Sequence, residues 1–382
     1  MILTNCAACA APLGLASGKK CGRCSTRYCG PACQKQHWDG GHKDVCKKIK
    51  KGGGAELYHA DKKTKEAIAE AAEKCADDTA GQTCYICTQS LHWKTKEGLV
   101  RMCACRGTAG FAHVSCLAEQ AKILCAEAVE NNLDWKVKNE RCHLWDTCSL
   151  CEQKYHGVVR CALGWACWKT YVGRPEADPS RCMAMTHLGN GLRGAKLYED
   201  ALSVQEVELS MKQRVGASEC SLLATQNNLA ITYEAVGRPE HSLPLKRDVY
   251  SGWLKLYGEE HEITLTAANN YAWGLNDLER FGEAKSLLRK TMPVARRVLG
   301  EGNQITLKIR WGYAMALYRD PGATLDDIRE AVTTLEDAGR IARRVFGGAN
   351  PLPKDIEREL RISRAALRAR EAGKNVVFEK NN

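Results

Sequence analysis

Phenylalanine occurs only four times in 382 residues, and aromatic residues together make up 7%. No apolar run approaches the ~18–20 residues that crossing a bilayer takes, which excludes a transmembrane protein. The opening residues, Met1-Ile2-Leu3-Thr4-Asn5-Cys6, lack a basic stretch followed by a long apolar one, so a secretory signal is not expected. Without export the thiols stay reduced. That removes the secreted disulfide scaffold as a class and makes metal binding the expected use of a cysteine-dense chain. No cysteine stands beside a matched base, so thiolate catalysis is not indicated. Past residue 183 cysteine itself nearly disappears: Cys220 lies there, and the other twenty precede it. The length allows two or three domains, and the two halves must be held together by different physics.

The first block of cysteines reads Cys6-x2-Cys9, Cys21-x2-Cys24, Cys29-x3-Cys33 and His42-x3-Cys46. Seven Cys and one His in four pairs supply the eight ligands of two tetrahedral zinc sites. Pairs at x2 suit tight turns, and pairs at x3 suit one helical turn, because i and i+4 share a face. Gln34 to Trp38 fits a short helix, with His37 as a spare, exposed imidazole. These residues, with Tyr28-Cys29, Cys33-Gln34 and Trp38, resemble the MYND zinc finger. The resemblance implies that Cys6, Cys9, Cys29 and Cys33 hold one zinc, and Cys21, Cys24, His42 and Cys46 the other. It also implies binding of short proline-containing peptides near Gln34 and Trp38. Trp38 serves equally well as part of the finger's small core. Gly40-Gly41 before His42 departs slightly from the family pattern.

The second block is Cys84-x2-Cys87, Cys103-x1-Cys105, His113-x2-Cys116 and Cys148-x2-Cys151, again eight ligands for two ions. Its order, with Arg106-Gly107-Thr108 after Cys105, resembles the RING-CH variant of the RING finger. Carried over, Cys84, Cys87, His113 and Cys116 share one zinc, and Cys103, Cys105, Cys148 and Cys151 the other. Ile86 matches the apolar position where RING fingers touch a ubiquitin-conjugating enzyme. Two features depart from the family. Thirty-one residues separate Cys116 from Cys148, including an expected helix over Leu117–Asn131, and no basic residue directly follows Cys151. The remaining cysteines, 75, 125, 142, 161, 167, 182 and 220, read as buried packing residues; Cys142-His143 is the one pair placed to replace a ligand.

Four Zn²⁺ and fourteen thiolates take the formal net charge of +11 to about +5. Nucleic acid is therefore not an expected partner. Between the blocks, Lys51-Gly52-Gly53-Gly54 is a break. Asp61–Asp78 reads as a solvated helical spacer with Ile68 and Ala72 on a thin apolar side. Tyr155–Tyr171 is apolar and tryptophan-rich, and Gly173 to Pro179 marks a boundary.

From about residue 183 the chain repeats. Gly216, Gly258 and Gly300 are 42 apart and Gly347 follows at 47, while Asn228-Leu-Ala returns as Asn270-Tyr-Ala. Each unit reads as two amphipathic helices, the first starting at the Asn and the second ending at the glycine, stacked as a solenoid. With the Tyr257-Gly258-Glu259-Glu260-His261 turn, the pattern resembles the tetratricopeptide repeats of kinesin light chains. That resemblance implies about four units, a capping helix carrying Arg358, Arg361, Arg364 and Arg368 outward, and a concave groove. Asn190, Asn228 and Asn270 would face the groove and bond a peptide backbone; alternatively they satisfy inter-helix turns.

The expected fold is thus a pair of small zinc-stapled α+β fingers followed by an all-α helical-repeat solenoid. Its segments are 1–50 (MYND-type), 51–82 (linker with helical spacer), 83–155 (RING-CH-like), 156–182 (connector), 183–372 (repeats) and 373–382 (flexible tail). The expected cofactor is Zn²⁺, four ions, two per finger. Two functions follow: an intracellular adaptor for protein peptides without chemistry of its own, or a ubiquitin ligase whose repeats select substrates. A methyltransferase domain is excluded, since repeats occupy the chain after residue 183 and no cofactor-binding motif is present.

Overall fold

A computed structural model describes residues 5–11, 13, 18–346 and 351–372. Gly347 and the expected tail, 373–382, lie outside the described residues. Two compact units divide the chain, Met1–Thr232 and Tyr233–Asn382.

The first unit opens with β1 (Lys19–Lys20) paired antiparallel to β2 (Arg27–Tyr28), Lys19 opposite Tyr28. Helix α1 (Pro31–His37) has proline in its first turn, where no hydrogen-bonding N–H is needed. A single wide turn, Trp38–His42, leads into α2 (Lys43–Lys51). Gly41 has φ 109° within that turn, so the Gly40-Gly41 insertion is what lets the chain bend between the two helices. Cys6, Cys24, Tyr28, Cys46 and Ile49 form the small core. Trp38 stands outside it, 39% exposed, with its ring 5.9 Å from that of His42. His37 is not the exposed spare expected. It is half-buried, hydrogen-bonded to the Tyr28 hydroxyl (3.0 Å) and stacked on His42 (4.7 Å between ring centroids), because the turn folds it back onto the finger.

Helices α3 (Ala55–Lys74) and α4 (Ala76–Thr79) follow. The expected solvated spacer proves to be a core element. Ala60 and Ala71 of α3 are buried in two different apolar clusters, and the Thr64 hydroxyl lies 3.1 Å from the Trp165 carbonyl. Small residues let α3 approach its neighbour closely, while its lysines and glutamates pair with each other on the far side.

Next come α5 (Val114–Glu130), α6 (Trp135–His143), α7 (Gly157–Tyr171), α8 (Pro179–Gly194) and α9 (Tyr198–Arg214). Asp134 and Asp178 cap α6 and α8 by accepting backbone N–H bonds. Helix α7 is buried nearly all round, with Val159, Leu163, Trp165, Cys167 and Trp168 inside. Residues 183–232 thus share a unit with the fingers, since α8 lies directly on α7. At that crossing a Cβ on Gly164 would stand 2.8 Å from the His187 carbonyl oxygen, and one on Gly191 2.8 Å from that of Arg160.

His187 sits at this crossing with Nδ1 sealed from solvent and unbonded. Burial holds its imidazole down to about 4, against the opposing pull of Asp146. The unfolded chain, titrating near 6.5, therefore takes up the proton first, and stability complete above pH 6.5 is lost as pH falls towards 4. Between pH 7 and pH 5 the loss is about 2 kcal/mol. Urea denaturation of the protein and of His187→Leu at both pH values checks this. The variant shows a smaller loss; equal losses would contradict the assignment.

Helix α10 (Glu219–Ala235) crosses into the second unit, which contains α11 (Pro239–Tyr257), α12 (Glu262–Asp277), α13 (Phe281–Leu299), α14 (Gln304–Tyr318), α15 (Leu325–Phe346) and α16 (Pro351–Glu371). Gly216, Gly258 and Gly300 follow α9, α11 and α13 with φ 66°, 79° and 85°, so the 42-residue spacing marks left-handed helix ends. The first helices begin earlier than the Asn motif suggests, at Glu219 and Glu262. Side chains of His261 and Asn303 cap α12 and α14, leaving Asn228 and Asn270 in mid-helix. Leu288, Leu307, Leu317, Leu335 and Ile356 fill the core. In α16, Arg358, Arg361, Arg364 and Arg368 are exposed while Ile356, Ser363 and Ala366 are buried, the expected outward-facing charge. Among the described residues, no helix is long and apolar enough to cross a membrane.

Candidate metal centres

The four Cys-x2-Cys pairs are built by one backbone device. In each, the first cysteine's N–H donates to the carbonyl five residues on, and the residue four on donates back to the cysteine carbonyl. The bonds are Cys6→Ala11 with Ala10→Cys6, Cys21→Thr26 with Ser25→Cys21, Cys84→Gln89 with Thr88→Cys84, and Cys148→Gln153 with Glu152→Cys148. The return donor is left-handed every time: Ala10 φ 58°, Ser25 61°, Thr88 61°, Glu152 56°. Both sulfurs of a pair are thereby directed to one point. Sequence reasoning missed a fifth copy of this turn at His92–Glu97, where Thr95 stands in place of the second cysteine. Its His92 Nδ1 is taken up by the Thr95 hydroxyl (2.8 Å).

The pairs meet in four groups whose ligand atoms all lie within 4.8 Å of one another: Cys6, Cys9, Cys29 and Cys33; Cys21, Cys24, His42 and Cys46; Cys84, Cys87, His113 and Cys116; Cys103, Cys105, Cys148 and Cys151. In both blocks the first pair joins the third and the second joins the fourth. Cys142 and His143 join none of these groups.

The donor geometry fits zinc. Tetrahedral thiolates at ~2.3 Å from an ion stand about 3.8 Å apart. Observed separations are 3.7 Å for Cys9–Cys29, 3.8 Å for Cys21–Cys46 and 3.7 Å for Cys105–Cys148, with Cys29–Cys33 tighter at 3.3 Å. The imidazoles enter by different nitrogens. His42 turns Nε2 towards Cys24 Sγ (3.3 Å), and His113 turns Nδ1 towards Cys87 Sγ (3.3 Å) and Cys116 Sγ (3.6 Å). His113 Nε2 lies 3.3 Å from the Ser90 carbonyl, which accepts its N–H and fixes the ring for ligation through Nδ1.

Electrostatics points the same way. Burial pushes Cys6 up, but backbone N–H groups of Cys9, Cys29 and Ala8 outweigh it and hold the thiol at about 6. Hydrogen bonding with Cys29 and Cys9 drives Cys33 up to about 12. Clustered thiols cannot all ionise without a counter-charge, and a divalent cation supplies it.

The expected partner-binding residues are spread over several elements. Gln34 is half-buried beside exposed Trp38, and Ile86 is 38% exposed at the tip of its turn. Asn190, Asn228 and Asn270 are half-buried on α8, α10 and α12. Asn190 Oδ1 has no hydrogen-bond partner, whereas Asn270 lies 3.5 Å from the Asn269 amide. Sequence reasoning passed over Asn269, which accepts the Trp273 indole N–H (3.2 Å).

The MYND-finger model matches residues 6–46, and the tetratricopeptide-repeat model matches 221–297. A clustered mitochondria protein homolog from Coccidioides immitis (strain RS) is 24% identical over 157 residues, which is 40% of this chain and 12% of that protein. Among solved structures, kinesin-light-chain TPR-like repeats of Podosopora anserina are 19% identical, covering 61% of this chain and 98% of theirs, with a TM-score of 0.42. BtubC from P. vanneervenii is 13% identical, covering 70% and 94%, with a TM-score of 0.41. The chain therefore carries a MYND finger at residues 6–46, further Cys/His groups able to hold zinc, and a helical region of tetratricopeptide repeats.

Proposed function

We propose that this chain is an intracellular adaptor that takes protein segments through its MYND finger and its tetratricopeptide repeats, with two two-zinc modules stapling its N-terminal half. The observation that carries the zinc assignment is the alternating assembly of the four ligand groups on turns of one design, common to the MYND finger and the second block. All sixteen side chains act as ligands. Zinc supplies structural cross-linking and charge neutralisation. In the MYND finger, exposed Trp38 with Gln34 offers a surface for a proline-containing peptide. In the repeats, Asn190 and Asn228 of the first unit, and separately Asn270 of the second, offer amides to a peptide backbone. Selecting a displayed peptide library on the zinc-loaded full chain tests this. Two peptide classes are expected, one proline-containing and lost with Trp38→Ala, the other lost with Asn228→Ala plus Asn270→Ala, while melting stays unchanged. Peptides insensitive to all three substitutions would overturn the reading.

A second reading, ubiquitin transfer, is favoured by one observation. Ile86 and Leu150, each inside a Cys-x2-Cys turn of the second block, are 38% and 51% exposed. Two aliphatic side chains held out by two zinc turns suit docking of a conjugating enzyme. Self-ubiquitination with a panel of such enzymes is the assay. Transfer lost with Ile86→Ala supports a RING-type ligase, and no transfer with any enzyme leaves the adaptor.

A further inference from the structure

Of the seven cysteines outside the ligand groups, two lie in the long segment between Cys116 and Cys148 that sets the second block apart. Cys125 lies on α5 and Cys142 on α6, and their sulfurs are 3.6 Å apart. The helices are already docked at this point. Arg141 donates to the Leu124 carbonyl (3.3 Å) and pairs with Glu127 (3.0 Å), so the residue beside Cys142 fixes α6 against the turn that carries Cys125. A disulfide needs ~2.05 Å between sulfurs, so closing this gap takes about 1.5 Å of sulfur movement. Cys125 is 6% exposed, whereas Cys142 is only half-buried.

We propose that Cys125 and Cys142 form an oxidative modification site, a dithiol that a peroxide converts to a disulfide pinning α5 to α6. The chemistry divides between the two. Hydrogen bonding from Cys125 holds the Cys142 thiol down at about 7, against the opposite pull of burial. The same contact, together with burial, pushes Cys125 well up. Cys142 is then the attacking thiolate and Cys125 the resolving thiol. The Cys142 sulfur attacks one peroxide oxygen, the O–O bond breaks, and the departing oxygen takes up a proton and leaves as water. The resulting Cys142 sulfenic acid is attacked by Cys125 sulfur. Its hydroxyl leaves with the Cys125 proton as a second water, and the S–S bond forms. Two thiols and one peroxide give one disulfide and two waters, and a reducing thiol reverses the change.

The bond would close a loop of 16 intervening residues. That loop lies between His113 and Cys116 of the third ligand group and Cys148 and Cys151 of the fourth. Oxidation would stiffen the segment joining two ligand groups without consuming a ligand. Nothing in the step depends on which partner the chain binds.

The test uses the zinc-loaded full chain and equimolar hydrogen peroxide, with alkylation of free thiols followed by peptide mass mapping. Cys125 and Cys142 are expected to lose alkylation together, as a cross-linked peptide pair lighter by two hydrogens, restored by dithiothreitol and with bound zinc retained. In Cys142→Ser, which alters a half-buried position, Cys125 should stay reduced. In Cys125→Ala, Cys142 should accumulate as a sulfenic acid that dimedone captures. Oxidised Cys142 without the cross-link in the unaltered chain would overturn the proposal. So would both cysteines remaining alkylatable while ligand cysteines oxidise.

Discussion

Replacing Cys148 by Ser costs the protein one zinc and collapses the core around the fourth ligand group. Cys148 has no exposed surface, and its thiol stands with Cys103, Cys105 and Cys151. A serine hydroxyl is a poor zinc ligand at neutral pH. Three remaining donors keep only a fraction of a binding free energy on the order of 10 kcal/mol for a structural site. The loss spreads because Cys148 packs in one cluster with Tyr155, Val159 and Leu163, the last two on α7. Without zinc, Cys103 and Cys105 take up protons, since burial and the neighbouring thiols push both up, and the cross-link they made is lost. The expected result is three zinc ions per chain instead of four and a melting transition at least ~10 °C lower, given roughly 2–4 °C per kcal/mol for a unit this size. Cys220→Ser, outside every group, should keep four. Zinc content by atomic emission with calorimetry on both variants decides it, and an unchanged count in Cys148→Ser would remove the fourth site.

Adding one methyl group at Gly164 disrupts the α7–α8 crossing. The new carbon would stand 2.8 Å from the His187 carbonyl oxygen and 3.1 Å from Leu188 Cα, and both of these are backbone atoms that cannot rotate away. The helices must separate over a face that includes buried Leu188 and Leu192. Overpacking of this kind costs about 3 kcal/mol, near the top of its usual range. Gly164→Ala should therefore melt roughly 6–12 °C lower. Gly173→Ala has nothing within 4 Å of the added carbon and should lie within about 0.5 kcal/mol of the parent. Scanning calorimetry separates the two. Equal melting of Gly164→Ala and the parent would mean that the helices do not approach this closely.

Much of this architecture can be read from the chain, and the exceptions have physical reasons. Cys-x2-Cys spacing is legible because two thiols on one turn carry their function in their positions. The 42-residue glycine period is legible because Gly258 (φ 79°, ψ 177°) and Gly300 (φ 85°, ψ 162°) hold a conformation that only glycine reaches without strain. The turns between the two helices of a repeat also take positive φ, at Lys196 (φ 64°), Gly237 (φ 74°) and Glu279 (φ 59°), yet two of the three are not glycine and give no signal. Helix α3 reads as solvated in the sequence because alanine is both a helix former on the surface and a spacer inside. Ala60 and Ala71 differ from Ala69 only in what lies opposite them. The starts of α10 and α12 were displaced because a conspicuous Asn motif sits in mid-helix, while the cap of α12 is the less conspicuous His261. The turn at His92–Glu97 was invisible because it keeps the backbone of a zinc turn without its thiols.

Native mass spectrometry of the full chain tests the central claim most directly. Two blocks of eight ligands, assembled into four groups on turns of one design, predict a single species carrying four zinc ions. A chain carrying two, with the second block's cysteines freely alkylated, would contradict the account and confine zinc to the MYND finger.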